Sequence, residues 1–174
     1  LVLIDEAYYP FYPKTVLPWI NDYPHLIVTR STGKAWGLAG FRLGYAVANS
    51  NVTQVLHKVR SMYETNTLAV AVMERMLDHE KEMLVSVRRL EEGKKKFLDA
   101  MQGLRFHVLE TYGNFLHVAF ENYAEKIHVA LSKLVYYRQD FNHPCLRGFS
   151  RFSTTTSELF KPVIERIRQV VEEK

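Results

Sequence analysis

Three short apolar runs, at residues 1–4, 26–29 and 43–47, most constrain what this chain can fold into, because each is bounded by turn-forming residues. Runs of that length and make-up read as buried parallel strands, whose functional residues collect at the strand ends. Between the first two, Tyr9-Pro10-Phe11-Tyr12-Pro13 cannot be the interior of a helix, since each proline lacks an N–H and fixes its own φ. Residues 19–23 read as a short turn or helix before the next strand. After Ser50 the period changes. Val55, Leu56, Val59 and Met62 recur at helical spacing, then Val70, Met73, Met76 and Leu77, then Leu84, Val87, Leu90, Phe97 and Met101. Tyr63-Glu64-Thr65-Asn66 interrupts the series, and the methionines read as core filler. Alternation returns at residues 104–109, 115–120, 135–138 and 148–153, with helices expected over 124–134 and 158–173. This last part reads as a small α+β domain with an antiparallel or mixed sheet.

The chemistry is concentrated where the first strands end. The segment Ser31-Thr32-Gly33-Lys34-Ala35-Trp36-Gly37-Leu38-Ala39-Gly40-Phe41-Arg42-Leu43-Gly44-Tyr45 sets one lysine and one arginine in a glycine-punctuated stretch between two strands. A lysine amine attacks an aldehyde to form a Schiff base, and a guanidinium with small hydroxyls and close backbone can hold a phosphate. Asp5, leaving the first strand, can pair with a protonated pyridine nitrogen, and Tyr8, three residues on, can hydrogen-bond a ring oxygen. Together these residues point to pyridoxal phosphate chemistry.

Asp5-Glu6-Ala7-Tyr8 together with the lysine segment resembles the fold type I, aspartate-aminotransferase superfamily, and within its class I/II enzymes the histidinol-phosphate aminotransferase branch. The resemblance runs over essentially the whole chain. It implies an α/β fold: the remainder of a large domain with a mostly parallel sheet and the start of the interdomain helices over residues 1–77, then an interdomain helix and a small α+β domain over 78–174. It also implies that Lys34 is the Schiff-base lysine, that Asp5 and Tyr8 meet the cofactor ring, and that Ser31 and Arg42 touch its phosphate. The cofactor would be pyridoxal 5'-phosphate. One departure stands out: Gly33 occupies the place where the family usually has a serine. The chain opens inside what should be an interior strand of a larger sheet, so it is expected to be the carboxy-terminal part of a longer protein, inactive when isolated. The family's usual homodimer is expected of that parent.

Arg138 and Arg151, thirteen positions apart, match in separation two arginines that bind the substrate's anionic tail in the same branch. Guanidinium groups suit carboxylate and phosphate alike. Arg147 is a nearby competitor, but the register of the terminal helix favours Arg151. The implied reaction moves an amino group from an amino acid or phosphorylated amine, with histidinol phosphate leading, to a 2-oxo acid such as 2-oxoglutarate. Alternatives with the same motifs are a decarboxylase of the threonine-phosphate type, or a non-catalytic relative with a binding role.

Other function classes find little support. The 23 basic and 19 acidic residues leave a net charge of +4, spread along the chain, and the run from Arg88 to Lys96 mixes signs at helical spacing. That is a solvated helix face rather than a nucleic-acid patch. A single cysteine, Cys145, cannot form an internal disulfide, and no apolar stretch reaches transmembrane length, so a cytoplasmic setting is expected. Ser31-Thr32-Gly33-Lys34 is not a nucleotide-binding loop, because Val28 stands where that motif needs glycine and Ala35 where it needs a hydroxyl. The seven histidines show no metal-ligand spacing. Asn51-Val52-Thr53 fits a glycosylation triplet of the kind that arises by chance.

Overall fold

The computed structural model describes residues 1–173. The chain divides within a long helix into two units, Leu1–Val87 and Arg88–Lys174. The division expected from sequence, between residues 77 and 78, lies ahead of that helix.

In the first unit, β1 (Val2–Asp5), β2 (Leu26–Ser31) and β3 (Gly44–Ala48) form one sheet in that order. β1 and β2 run parallel, with Val2 opposite Leu26 and Asp5 opposite Thr29. β3 runs antiparallel to β2, with Ser31 opposite Gly44 and Ile27 opposite Ala48. This corrects the expectation that all three strands are parallel. A parallel return needs a crossover long enough to carry the chain back along the sheet. Residues 32–43 hold only turns and the 3₁₀ turn Ala39–Phe41, so the chain comes back the way it went.

Burial also differs along this sheet. Leu26, Ile27 and Val28 are buried, with Val28 and Leu26 packed against Ile20 of the 3₁₀ turn Leu17–Asn21 and against Val16, Leu17 and Val47. β1, expected to be buried, is exposed throughout, Leu3 at 59%. It has a strand on one edge only, and nothing in its own unit covers its faces enough to bury it.

The helical region forms where its period placed it. α1 (Ser50–Val59) is capped by Asn49, whose side chain accepts from the Asn51 N–H. The break is followed by Asn66, which accepts from the N–H groups of Leu68 and Ala69 and so starts α2 (Thr67–Leu77). An Asn at this position satisfies N–H groups that the helix cannot satisfy itself. α3 (Glu80–Gly103) follows. Of the methionines read as filler, Met73 and Met101 are buried, but Met62 is exposed, as are Val55, Leu56 and Val59 of α1. Helical periodicity identifies a face; it does not supply the surface that covers it.

In the second unit, β4 (His107–Leu109), β5 (Phe115–Ala119) and β6 (Phe149–Ser153) form an antiparallel sheet in that order. α4 (Ala124–Leu131) and α5 (Ser157–Glu172) complete it. Leu116, Val118 and Phe152 alternate onto one face of the sheet and are buried with Phe97 and Met101 of α3, Ile127 and Leu131 of α4, and Phe160, Val163 and Ile167 of α5. Lys94 of α3 is buried and donates to the carbonyls of Thr111 and of Gly113 (3.0 Å), fixing the β4–β5 loop to the helix. The strand expected over 135–138 does not form. Only Arg138 pairs, in an isolated bridge to Arg151, and the chain then turns back at Asp140, whose carbonyl accepts from Arg138 Nε. The helix expected over 124–134 ends at Leu131, where Leu134 and Val135 both donate back to its carbonyl. Among the described residues no helix is long and apolar enough to cross a membrane.

Candidate active site

Parallel pairing of β1 with β2 brings their carboxyl ends side by side, and the sequence candidates of the first unit gather there. Asp5 closes β1; its Oδ1 accepts from the Ala7 N–H at 2.9 Å and from Thr29 Oγ1 at 3.4 Å. Three residues on, Tyr8 lies in the turn after the strand, and the Lys34 Nζ stands 5.3 Å from the centroid of its ring. Ser31 closes β2, and its Oγ accepts from the Gly33 N–H at 3.1 Å. Arg42 follows the 3₁₀ turn with φ +55°, a left-handed conformation that non-glycine residues seldom adopt, and its Nη1 donates to the Ala39 carbonyl at 3.4 Å.

Two of these pairings are tertiary. Lys34 meets the Tyr8 ring, while Ser31 and Arg42 line one recess of about 210 Å³ with Gly33, Ala39 and Gly44. Asp5 stands at the neighbouring strand end, the last residue of β1. Gly33 has a local reason: a Cβ there would lie 3.1 Å from the Ala39 Cα and 3.4 Å from Ser31 Oγ. A side chain at that position would crowd the turn that forms the recess.

Glu6 was not among the sequence candidates, yet it organises this end of the sheet. Its Oε1 accepts from the Val16 N–H at 2.7 Å, and its Oε2 accepts from Thr15 Oγ1 at 2.7 Å and from Arg30 Nε and Nη2 at 3.2 and 2.9 Å. The Arg30 guanidinium also covers the Tyr9 ring at 3.7 Å. Burial pushes the Glu6 carboxyl up, but the bonds from Val16, Thr15 and Arg30 outweigh it and hold the group below the usual carboxylate range. The network ties the loop after β1 to β2. Its sequence signal is slight: an acid at position 6 and a base at position 30, each one step beyond the paired Asp5 and Thr29.

In the second unit Arg138 and Arg151 are direct neighbours. The Arg138 N–H donates to the Arg151 carbonyl at 3.1 Å and the Arg151 N–H donates back at 2.8 Å. Each guanidinium lies on a ring, Arg138 over Phe141 at 4.1 Å and Arg151 over Phe115 at 4.2 Å. Among the described residues neither forms an ion pair with a carboxylate. Arg147, the competitor in sequence, is exposed just after the 3₁₀ turn Pro144–Leu146.

A sequence profile of aminotransferase class I and II matches residues 1–167. The chain belongs to this family. Histidinol-phosphate aminotransferase of Caldanaerobacter subterraneus is 32% identical over 174 residues, covering 98% of this chain and 49% of that protein. The histidinol-phosphate aminotransferase of a Thermoanaerobacter species is 34% identical over 176 residues, with coverage of 98% and 49%. The chain thus spans about half the length of the curated relatives it matches. Among solved structures, histidinol-phosphate aminotransferase from Clostridium acetobutylicum superposes with a TM-score of 0.84 at 21% identity, covering 99% of this chain and 54% of that one. The Sinorhizobium meliloti enzyme, solved in complex with pyridoxal-5'-phosphate, gives 0.81 at 21% identity, with coverage of 98% and 48%. The fold is therefore that of the class I and II aminotransferases, an α/β architecture.

Proposed function

We propose that this chain carries the lysine-bearing part of a pyridoxal 5'-phosphate-dependent aminotransferase acting on a phosphorylated amine, histidinol phosphate first, with a 2-oxo acid such as 2-oxoglutarate as amino acceptor. The observation that carries this reading is the grouping at the carboxyl ends of β1 and β2: a lysine amine beside the Tyr8 ring, next to a recess lined by a serine hydroxyl and a guanidinium. The names of the relatives support the substrate.

The donor set suits the cofactor. Arg42 and Ser31 offer a phosphate a cation and a hydroxyl, the Ser31 Oγ being held in place by the Gly33 N–H, and the Arg42 guanidinium makes no ion pair among the described residues. When bound, pyridoxal phosphate supplies an electron sink for the carbanion at the substrate Cα. Lys34 supplies the amine that anchors the cofactor's aldehyde and, once released, moves the proton at the substrate Cα. Asp5 offers a carboxylate to a protonated pyridine nitrogen, and Tyr8 offers its phenol to the ring oxygen. Arg138 and Arg151, paired across the ladder, offer their guanidinium groups to the substrate's anionic end. A homodimer in the cytoplasm belongs to the same reading.

The test is to load the full-length protein with pyridoxal phosphate, reduce it with borohydride and map the pyridoxyl group by peptide mass spectrometry. An adduct on Lys34, followed by 2-oxoglutarate-dependent consumption of histidinol phosphate, is the expected result. Release of carbon dioxide from a phosphorylated amino acid would favour the decarboxylase. An unmodified Lys34 would overturn the enzyme reading and leave a binding role.

A further inference from the structure

β6 lies between β5 and the bridging residue Arg138, and one row of the ladder carries three basic side chains. His117 is directly opposite Arg151, and Arg151 is directly opposite Arg138. Directly opposed residues in antiparallel pairs project to the same face. This face is the reverse of the one that buries Leu116, Val118 and Phe152. Like charges set opposite each other oppose folding, and no carboxylate is ion-paired to either arginine among the described residues.

His117 is enclosed by the rings that carry those arginines. Its own ring lies 5.5 Å from Phe115, under Arg151, and 5.5 Å from Phe141, under Arg138. It is only 7% exposed, and its Nδ1 is buried without a hydrogen-bond partner. A buried polar atom left so opposes folding, so its retention asks for a reason.

We propose that His117 is the third member of an anion site with Arg138 and Arg151, taking up a proton when a dianion binds across the two guanidinium groups and so making the site prefer a phosphoryl group to a carboxylate. The proposal rests on the reading that Arg138 and Arg151 hold the anionic end of the substrate. Without an anion, burial first and the Arg151 charge second keep the imidazole below its usual range and therefore neutral. A dianion neutralises the second cause and adds attraction, and the proton comes from solvent. A carboxylate, with one charge, neutralises less. A phosphomonoester carries between one and a half and two negative charges near pH 7 (about −1.5 to −2).

The groups around His117 are Arg151 on β6, Arg138 and Phe141 on the bridging segment, Phe115 on its own strand, and Leu109 and, one pair further along, His107 on β4. The Asp140 carboxylate is engaged by the N–H groups of Phe141 and Gly148 at 2.7 and 3.2 Å. His107 packs its ring on Phe149. Arg151 is thus the charge that acts most directly on His117, and it is the one an anion would meet.

The test follows the His117 ring carbon by NMR in the histidine-labelled full-length protein from pH 5 to 8, with sulfate, a dianion throughout that range, and with acetate. Sulfate should raise the His117 pKa by about one unit, equivalent to a tenfold coupling between proton and anion. Acetate should move it less, and the sulfate effect should vanish in Arg151→Gln. In His117→Gln, sulfate affinity should lose its pH dependence. Sulfate that binds without moving His117, a shift that persists in Arg151→Gln, or no sulfate binding at all would each overturn the proposal. The cofactor reading fails separately, by an unmodified Lys34.

Discussion

Glu6 Oε2 accepts two hydrogen bonds from one guanidinium, from Arg30 Nε at 3.2 Å and Nη2 at 2.9 Å, with both side chains nearly buried. The pair joins the loop after β1 to β2, and it sits one residue beyond Asp5. Whatever Asp5 and Tyr8 do depends on this loop being held against the strand.

Replacing Glu6 by alanine should therefore destabilise the first unit by about 3–5 kcal/mol, since it strands a buried guanidinium. Both tryptophans, Trp19 and Trp36, lie in that unit, so their fluorescence during urea unfolding reports on it. The sign of the pH dependence follows from a carboxyl held below its ordinary value in the folded state. Its contribution is complete above the unfolded value, about 4.3, and is lost as the pH falls through the folded one. Acid should weaken the wild-type unit, and Glu6→Ala should show a shallower loss.

Arg42 separates a backbone requirement from a side-chain one. Its left-handed conformation costs a non-glycine residue about 1–2 kcal/mol. Arg42→Gly should leave the first unit as stable as before or up to about 1 kcal/mol more stable, while lowering the affinity of the full-length protein for pyridoxal phosphate by tenfold or more, as loss of a charged hydrogen bond predicts. Equilibrium dialysis and tryptophan-detected unfolding measure the two effects independently. Unchanged cofactor affinity would remove Arg42 from the phosphate site.

Gly93 inverts the usual rule for a helix interior. Glycine to alanine there ordinarily stabilises by about 0.5–1 kcal/mol. Here a Cβ would stand 2.0 Å from the Thr155 carbonyl oxygen and 2.8 Å from the Thr156 carbonyl carbon, both backbone atoms. Gly93→Ala should force α3 away from the start of α5 and cost about 1–3 kcal/mol, the range for overpacking. Hydrogen exchange of the α5 amides should speed up accordingly; unchanged protection would mean that the two elements can part without cost.

The second unit should weaken as the pH falls from 7 to 5. Burial lowers His128 below its usual range, partly offset by the Asp140 carboxylate, and burial with the Arg151 charge lowers His117. Groups lowered in this way contribute fully above their unfolded value, about 6.5, and the contribution is lost as the pH falls through the folded value. His128→Gln should reduce that slope, leaving the share due to His117. Tyr137, whose hydroxyl meets His128 Nδ1 at 2.7 Å and whose ring stacks on Phe152, is pushed up to about 12 by burial and stays protonated throughout. Tyr137→Phe should cost about 1 kcal/mol, the worth of one hydrogen bond, in the exchange of β6 amides.

The sequence by itself determined the local elements and the chemical set. Short apolar runs bounded by turns located β1, β2 and β3, helical spacing located α1 to α3, and the order of Asp5, Tyr8, Ser31, Lys34 and Arg42 marked the family. These signals are local, because a period or a motif is written in consecutive residues. Tertiary structure decided the rest. The antiparallel course of β3 came from a connection with no crossover helix. The exposure of β1 and α1 came from the lack of a covering surface in their own unit. Glu6 gained its role by meeting a guanidinium 24 positions away, and His117 and Arg138 theirs by meeting Arg151 across the ladder. Such contacts depend on which strands pair and in what register, and no window of consecutive residues contains that information.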